Sequence, residues 1–434
     1  GRSGGGTQSS HIAALDERIL AVAPGSYITN FTRLFQEPGP QDAEQNLYSG
    51  ILRGLDHADL LAVRAPRPAL IIATTGDYFG IHGFRETARE VTRIYRALGA
   101  ESNFGTAEDD GPHSSTRKNR EAMYAFFQRA LENPGDPREG DISPLTDDEI
   151  RVTPTGQLAT SLRGETIHSI NRRETEREIA RWQTGRSDWP RHARQVVDAA
   201  RRLSGYREPS TQDEPVFTGR LPRAGYAIEK YFVQGEGRYV VPYLLLRPER
   251  SNGRAVLYLH PAGKAAAAGA GEELEWFVRQ GFTVLAPDLV GLGETGPEFY
   301  NGDTKIEGIS YNVWFAAILI GRSVVGIRAG DVVKLTALLQ KEDGVSEVYG
   351  VARRELAPVL LHAAAFTPAL RRIGLIEPYS SYHSFVRSRF YNPALLYSTV
   401  PAALKGYDLP DLAGSLVPRP LLISGATDAS ARGT

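Results

Sequence analysis

The chain has 434 residues, 41% of them hydrophobic and 23% charged, with a formal net charge of −1 and a pI near 6.9. That length accommodates two or three domains, and the balanced charge gives no electrostatic ground for binding nucleic acid or an anionic membrane. Cysteine is absent, which excludes disulfides, thiolate metal sites and a cysteine nucleophile, and no apolar run is long enough to span a bilayer.

The chain opens GRSGGGTQ, Gly1 to Gln8, which reads as G-x-S-x-G over Gly1–Gly5. That form places a nucleophilic serine on a sharp turn between a strand and a helix. The following HIAALDERI (His11–Ile19) has a helical pattern, and ILAVAPGS (Ile19–Ser26) reads as a buried strand with a turn. PALIIATTGDYF (Pro68–Phe79) is a second strand, ending in an acidic loop. FRETAREVTRIYRALG (Phe84–Gly99) is a helix closed by glycine. A short strand near Ser102–Thr106, a polar loop to Ser115 and a helix over Asn119–Glu132 complete the unit. Strands alternating with helices imply a parallel α/β sheet.

Glu132–Glu149 is rich in Pro, Gly and acid and reads as a linker. Two Arg-rich helical segments follow, Arg172–Thr184 and Pro190–Ser204, and their interleaved acids suit solvated surface helices. From Tyr226 a second β-rich unit begins with YAIEKYFV, RYVVPYLLLRP, RAVLYLHPAG and FTVLAPDLVG, and it ends with PRPLLISGATD (Pro418–Asp428).

An internal repeat organises the chain. DHADLLAVRAPRP (Asp56–Pro68) matches DLPDLAGSLVPRP (Asp408–Pro420), with the same step from Asp59 to Pro66 as from Asp411 to Pro418. Upstream, RILAVAPGSYITNF matches RIGLIEPYSSYHSF, and SHIAAL matches LHAAAF. Two copies of one α/β unit are therefore expected, the first without its front strands and the second without its last strand and helix. Residues 1–132 would be the C-terminal half of one domain, 133–210 linker and surface helices, and 211–434 the second domain. With residue 1 a glycine and Met123 the only methionine, the chain reads as a fragment or processed product. Taken alone, its first sheet would expose an apolar edge and be unstable or inactive.

Serine is a poor nucleophile at neutral pH, so acyl transfer needs a base and a group to orient that base. In the α/β-hydrolase fold these occur in the chain order Ser, Asp or Glu, His, each after a strand. The first copy supplies Ser3, Asp77 and His113 in that order, and the Gly4 amide is the expected oxyanion donor. Asp109 and Asp110 are rival acids, close to His113 in sequence. In the second copy the repeat sets Arg354 against Ser3 and Asp428 against Asp77, over the same interval in both copies. Arginine cannot attack a carbonyl, nor can Ala352, the alternative elbow residue if Gly350 is its first glycine. This copy is expected to be degenerate.

Other motifs have structural readings. GLGETG (Gly291–Gly296) fits G-x-G-x-x-G, but PEFYNGD follows and does not open a helix, so no dinucleotide site is expected. GRSVVG (Gly321–Gly326) lies before a helical stretch and reads as helix packing. Asp56, His57 and Asp59 suggest a metal, yet the second copy keeps Asp408 and Asp411 and loses the histidine, which favours a cap or turn. HPAGK (His260–Lys264) stands where such folds hold a second oxyanion amide.

GRSGGGTQ with its following helix, the APRP strand ending at Asp77 and the GPH loop resemble the acetyl xylan esterase-like and dienelactone hydrolase-like α/β hydrolases, in their large two-domain bacterial form. The resemblance implies carboxylic-ester hydrolysis, often of acetylated sugars, without a cofactor. It assigns Ser3 as nucleophile, His113 as base and then acid, Asp77 as orienter and Gly4 as donor. Ser114 departs from the small glycine common after the histidine, and the second elbow is degenerate. Two other functions remain open at this stage: a serine peptidase of the prolyl-oligopeptidase type, and a non-catalytic scaffold. The expected partner is an ester substrate, with no nucleic acid, metal or membrane span; compartment and oligomeric state are not set by the sequence.

Overall fold

The computed structural model describes residues 1–430 apart from 38, 40, 41, 297–304 and 308. They form two compact units, the first mainly Gly1–Gln157 with Ser310–Gly321, the second mainly Leu158–Phe299 with Arg322–Thr434.

The first unit is built on β1 (Ala69–Gly76) and β2 (Phe104–Pro112), paired in parallel. Two further segments extend the order outward from β1 by parallel bridges, Val22 with Ala69, Gly25 with Ile72, and Arg2 with Gly25. The stretch expected as a strand over Ile19–Ser26 is thus reduced to bridges. Pro24 has no N–H to give the ladder, although its carbonyl still accepts from Ile72 N at 3.0 Å. The next strand also differs from its expected place, because β2 runs on through the segment read as a polar loop.

The helix after Ser3 is α1 (Gly4–Leu15), which starts seven residues before the apolar pattern at His11. It packs with α2 (His57–Ala62) and α3 (Ile81–Ala97) on one face of the sheet, and α4 (Arg117–Ala130) lies on the other. Successive β1 residues point to opposite faces, so Ala69, Ile71 and Ala73 enter one cluster and Leu70 the other. A strand buried on both faces must be apolar throughout, which explains the run ALIIA. Phe84 and Val91 are fully buried on α3, and each such side chain contributes roughly 1.5–3 kcal/mol of transfer free energy.

Asp56 caps α2, accepting from His57 N at 2.7 Å and Phe31 N at 3.0 Å, while Asp59 accepts from Asp56 N at 2.7 Å. These carboxylates therefore hold backbone. His57 is buried and its Nδ1 accepts from Thr29 N at 3.0 Å.

The second unit contains α5 (Ile167–Gln183) and α6 (Trp189–Ser204), then an eight-stranded sheet. Its strands are β3 (Val216–Arg223), β4 (Tyr226–Gln234), β5 (Val240–Pro248), β6 (Arg254–Leu259), β7 (Thr283–Pro287), β8 (Glu347–Arg353), β9 (Leu370–Ile376) and β10 (Leu421–Ser424). The order is β3-β4-β5-β7-β6-β8-β9-β10; β3 and β5 run antiparallel to the rest. This mostly parallel sheet with its reversal at β6 and β7 is the topology of an α/β hydrolase. Intervening helices include α7 (Glu273–Arg279), α8 (Val324–Lys341), α9 (Ala357–Phe366) and α10 (Leu409–Gly414).

The Arg-rich segments are not merely solvated. His192, Val196, Ala199 and Ala200 form a buried stripe at helical spacing on α6, and Val196, Ala199 and Ala200 join the main core with α8 and α9. Arg186, just after α5, binds the buried Asp411 at 2.7 and 2.8 Å, and His192 Nε2 lies 3.2 Å from it.

The two units repeat more than letters. His11 and His362 each bond through Nδ1 to the carbonyl four residues earlier, at Thr7 and Pro358. Asp408 caps α10 as Asp56 caps α2, and accepts from Tyr382 N at 2.6 Å. Arg64 donates to the carbonyls of Ala13 and Leu20, and Arg419 to those of Ala364 and Leu370, so an arginine from a different repeat position ties the helix end to the strand. The pairing of RILAVAPGSYITNF with RIGLIEPYSSYHSF shifts by three residues: Ser26 corresponds to Glu377. Both have positive φ, 51° and 53°, and donate to strand carbonyls, Ile72 and Ser424.

Burial depresses His57 to a pKa of about 3 and His362 to about 4. Above the ordinary histidine value both states are neutral; below it the unfolded chain takes up protons that the native chain refuses. Stability is thus lost as pH falls from 6.5, by about 1.4 kcal/mol per pH unit for each ring. Urea denaturation at pH 7 and pH 5 should show His57→Gln losing less stability on acidification than wild type, by about 2 kcal/mol.

Candidate active site

Ser3 sits between the segment bridged at Arg2 and the first residue of α1. Its backbone has φ 56° and ψ −125°, a conformation that L-residues hold only when their surroundings impose it. Ser3 N donates to Gly25 O at 2.9 Å, and Ser3 O accepts from Thr7 N at 2.9 Å. The Ser3 hydroxyl makes no capping bond to the helix. Gly4 is the first helical residue, so its N–H has no intrahelical acceptor and opens beside Ser3.

The glycines have separate reasons. A Cβ on Gly1 would lie 2.2 Å from Gly5 O, and one on Gly6 would lie 2.5 Å from Gly25 O. Gly5, the last letter of G-x-S-x-G, has open space, and at Gly4 the nearest atom is the movable carboxylate of Glu44. Close packing of α1 against the neighbouring segment therefore rests on Gly1 and Gly6.

Asp77 and His113 meet because β1 and β2 end side by side. A register shift after Thr74 brings Gly76 opposite Pro112, and a Cβ on Gly76 would stand 3.0 Å from Gly111 O. The Asp77 side chain is 1% exposed. Its Oδ1 accepts from His113 Nδ1 at 2.9 Å and from Phe79 N at 3.1 Å, and Oδ2 lies 3.1 Å from His113 Nδ1. The Thr74 hydroxyl donates to Pro112 O at 2.8 Å and ties the two strand ends together. Because a carboxylate only accepts, Nδ1 carries the proton and the Nε2 lone pair is left for another donor.

Tyr78 stacks on His113, with centroids 4.4 Å apart and planes at 23°, and its hydroxyl interacts with the Ser3 side chain. Ser3 and His113 share no direct hydrogen bond; Tyr78 touches both. Arg2 Nη1 donates to His113 O at 3.4 Å. Asp109 faces Lys118 at 3.7 Å, and Asp110 accepts from the Thr75 hydroxyl, so neither rival acid holds the histidine. Tyr78 was not singled out from sequence, because its stacking on His113 joins two loops distant along the chain.

In the second unit Arg354 follows β8 and precedes α9 with φ 46°, the same turn as Ser3. Its Nε donates to Glu377 at 2.7 Å. Ala352 lies within β8, so it is Arg354 that stands at the turn. Asp428 accepts from Ser430 N at 2.8 Å, as Asp77 accepts from Phe79 N. GLGETG wraps a carboxylate: Glu294 N donates to Asp288 at 3.0 Å, and a Cβ on Gly293 would stand 2.3 Å from Asp288 Cγ. Asp288 in turn holds Lys264 of HPAGK at 2.5 Å. In GRSVVG, Ser323 caps α8, and a Cβ on Gly326 would meet Ser204 O at 2.2 Å. Among the described residues no group of three or more His, Asp or Glu side chains is placed to hold a metal, and no single helix is long and apolar enough to cross a membrane.

The turn yields a direct comparison of two glycines. Gly6→Ala should lower stability by about 1–3 kcal/mol, since backbone must move to admit the methyl, whereas Gly5→Ala should cost under about 1 kcal/mol. Chemical denaturation of the two variants side by side reads the difference.

No family model matches the sequence, and no curated protein matches it. Solved structures to which the chain is similar include a candidate acetyl xylan esterase of Bacteroides fragilis (16% identity, 64% of this chain and 77% of that one, TM-score 0.43). A methylesterase (17% identity, 58% and 55%, TM-score 0.40) and an acetyl xylan esterase of Paenibacillus sp. (14% identity, 55% and 88%, TM-score 0.36) are similar too. The chain spans little more than half of that methylesterase.

Proposed function

We propose that the chain hydrolyses carboxylic esters through an acyl-enzyme on Ser3. The observation that carries this reading is the pairing of the buried Asp77 carboxylate with the half-buried His113 at the ends of adjacent parallel strands, with Tyr78 stacked on the imidazole and a serine held at positive φ. His113 Nε2 accepts the Ser3 proton as Oγ attacks the ester carbonyl, and the Gly4 N–H donates to the oxygen that becomes negative. His113 then gives the proton to the leaving alkoxide as the C–O bond breaks. A water deprotonated by His113 attacks the acyl-enzyme and releases the acid, restoring Ser3. Asp77 holds the ring in the tautomer this needs and stabilises the imidazolium. No step calls for a cofactor.

The family resemblance of the elbow, the Asp77 strand and the GPH loop points to acetylated carbohydrate as the substrate class. In the second unit Arg354 occupies the equivalent turn and cannot form an acyl-enzyme, so in this reading that unit is catalytically silent at its own elbow.

The test is p-nitrophenyl acetate turnover by the full-length protein together with labelling by a fluorophosphonate. Ser3→Ala should lose label and reduce kcat by on the order of 10³-fold or more, and Arg354→Ala should leave both unchanged. Full activity in Ser3→Ala, or label on another serine, refutes the assignment. Turnover of a peptide amide in preference to the ester would move the activity to a peptidase.

A further inference from the structure

The loop after β1 carries two consecutive residues that grip the same imidazole from different directions. Asp77 accepts from Nδ1 in the plane of the ring at 2.9 Å. That bond fixes one edge but leaves the ring free to rock about it. Tyr78 covers the face at 4.4 Å with an interplanar angle of 23°, which is stacking contact and removes the remaining freedom. Its phenol end reaches the Ser3 side chain.

We propose that Tyr78 is a positioning residue of this site, whose ring sets the orientation of His113. The proposal rests on the reading of Ser3 and His113 as nucleophile and base.

Three observations support it. Tyr78 is 37% exposed, so it is not a core residue whose place is dictated by burial. Its neighbour Phe79 is buried against Tyr27 at 5.9 Å and anchors the loop, as does Glu37, which accepts from Gly80 N at 2.8 Å. The stacked ring is therefore held on a fixed backbone. Burial, with the charges of Asp77 and Asp42, raises the phenol above its ordinary value against the opposing Ser3 and Arg2 contributions. The group is then a protonated donor at neutral pH.

The stack, rather than the hydroxyl, orients the base, so Tyr78→Phe and Tyr78→Leu separate the two. With p-nitrophenyl acetate and the full-length protein, Tyr78→Leu should lose at least tenfold in kcat with KM within twofold of wild type. Tyr78→Phe should recover kcat to within about threefold. In NMR spectra the His113 ring protons should carry an upfield ring-current shift in wild type and Tyr78→Phe that disappears in Tyr78→Leu. Melting curves of the variants establish that each is folded. Wild-type kcat in Tyr78→Leu, or a Phe variant as impaired as the Leu variant, overturns the proposal while Ser3→Ala remains dead. Activity retained in Ser3→Ala overturns the underlying site and this proposal with it, so the two failures are distinguishable.

Discussion

A carboxylate that is 1% exposed must find donors or lose its charge, and Asp77 finds them on both sides of a strand junction. It accepts from the backbone N–H of Phe79 in its own loop and from the Nδ1–H of His113 in the next. That demand ties the end of β1 to the end of β2. The register shift after Thr74, the close approach of Gly76 to Gly111 and the Thr74 bond to Pro112 O all serve the same junction. Parallel strands make it possible, since their C-terminal ends lie together and loops distant in sequence become neighbours.

The second unit shows how much of this architecture recurs around different side chains. Arg354 adopts the positive-φ turn of Ser3, Glu377 that of Ser26, and Asp428 the backbone bond of Asp77. These features are set by strand pairing and helix packing, which depend on the backbone and on the size of side chains. The turn does not depend on the Ser3 hydroxyl, and in the second unit a guanidinium that pairs with Glu377 stands at the same place. Asp411 makes a similar point. It keeps the letter of Asp59, but it is bound by Arg186 where Asp59 accepts a backbone N–H.

Much of the candidate site was legible because its residues sit at element ends. A strand followed by T-G-D, a GPH loop after the next strand and a glycine-rich start to a helix are local patterns, and the order Ser, Asp, His follows from them. The caps at Asp56 and Asp408 were legible for the same reason, through the repeat. What was not legible were contacts made across the sheet. Tyr78 looked like an ordinary loop aromatic, since nothing local reveals that its ring lies on His113. The stripe on α6 was masked by its arginines: five buried positions among many charges become a core face only when a sheet is present to cover them. The Ile19–Ser26 strand failed because Pro24 removes one donor from an otherwise suitable apolar run.

The sequence by itself determined the α/β alternation, the twofold repeat, the order of Ser3, Asp77 and His113 and the arginine that the repeat sets against Ser3. Each is a property of residue type and spacing along the chain. Only the tertiary structure decided that Asp77, not Asp109 or Asp110, holds His113, that Gly6 rather than Gly5 admits the close packing of α1, and that Tyr78 stacks on His113. Those outcomes depend on which loops the parallel pairing of β1 and β2 brings within hydrogen-bond reach, and that pairing joins residues far apart in sequence.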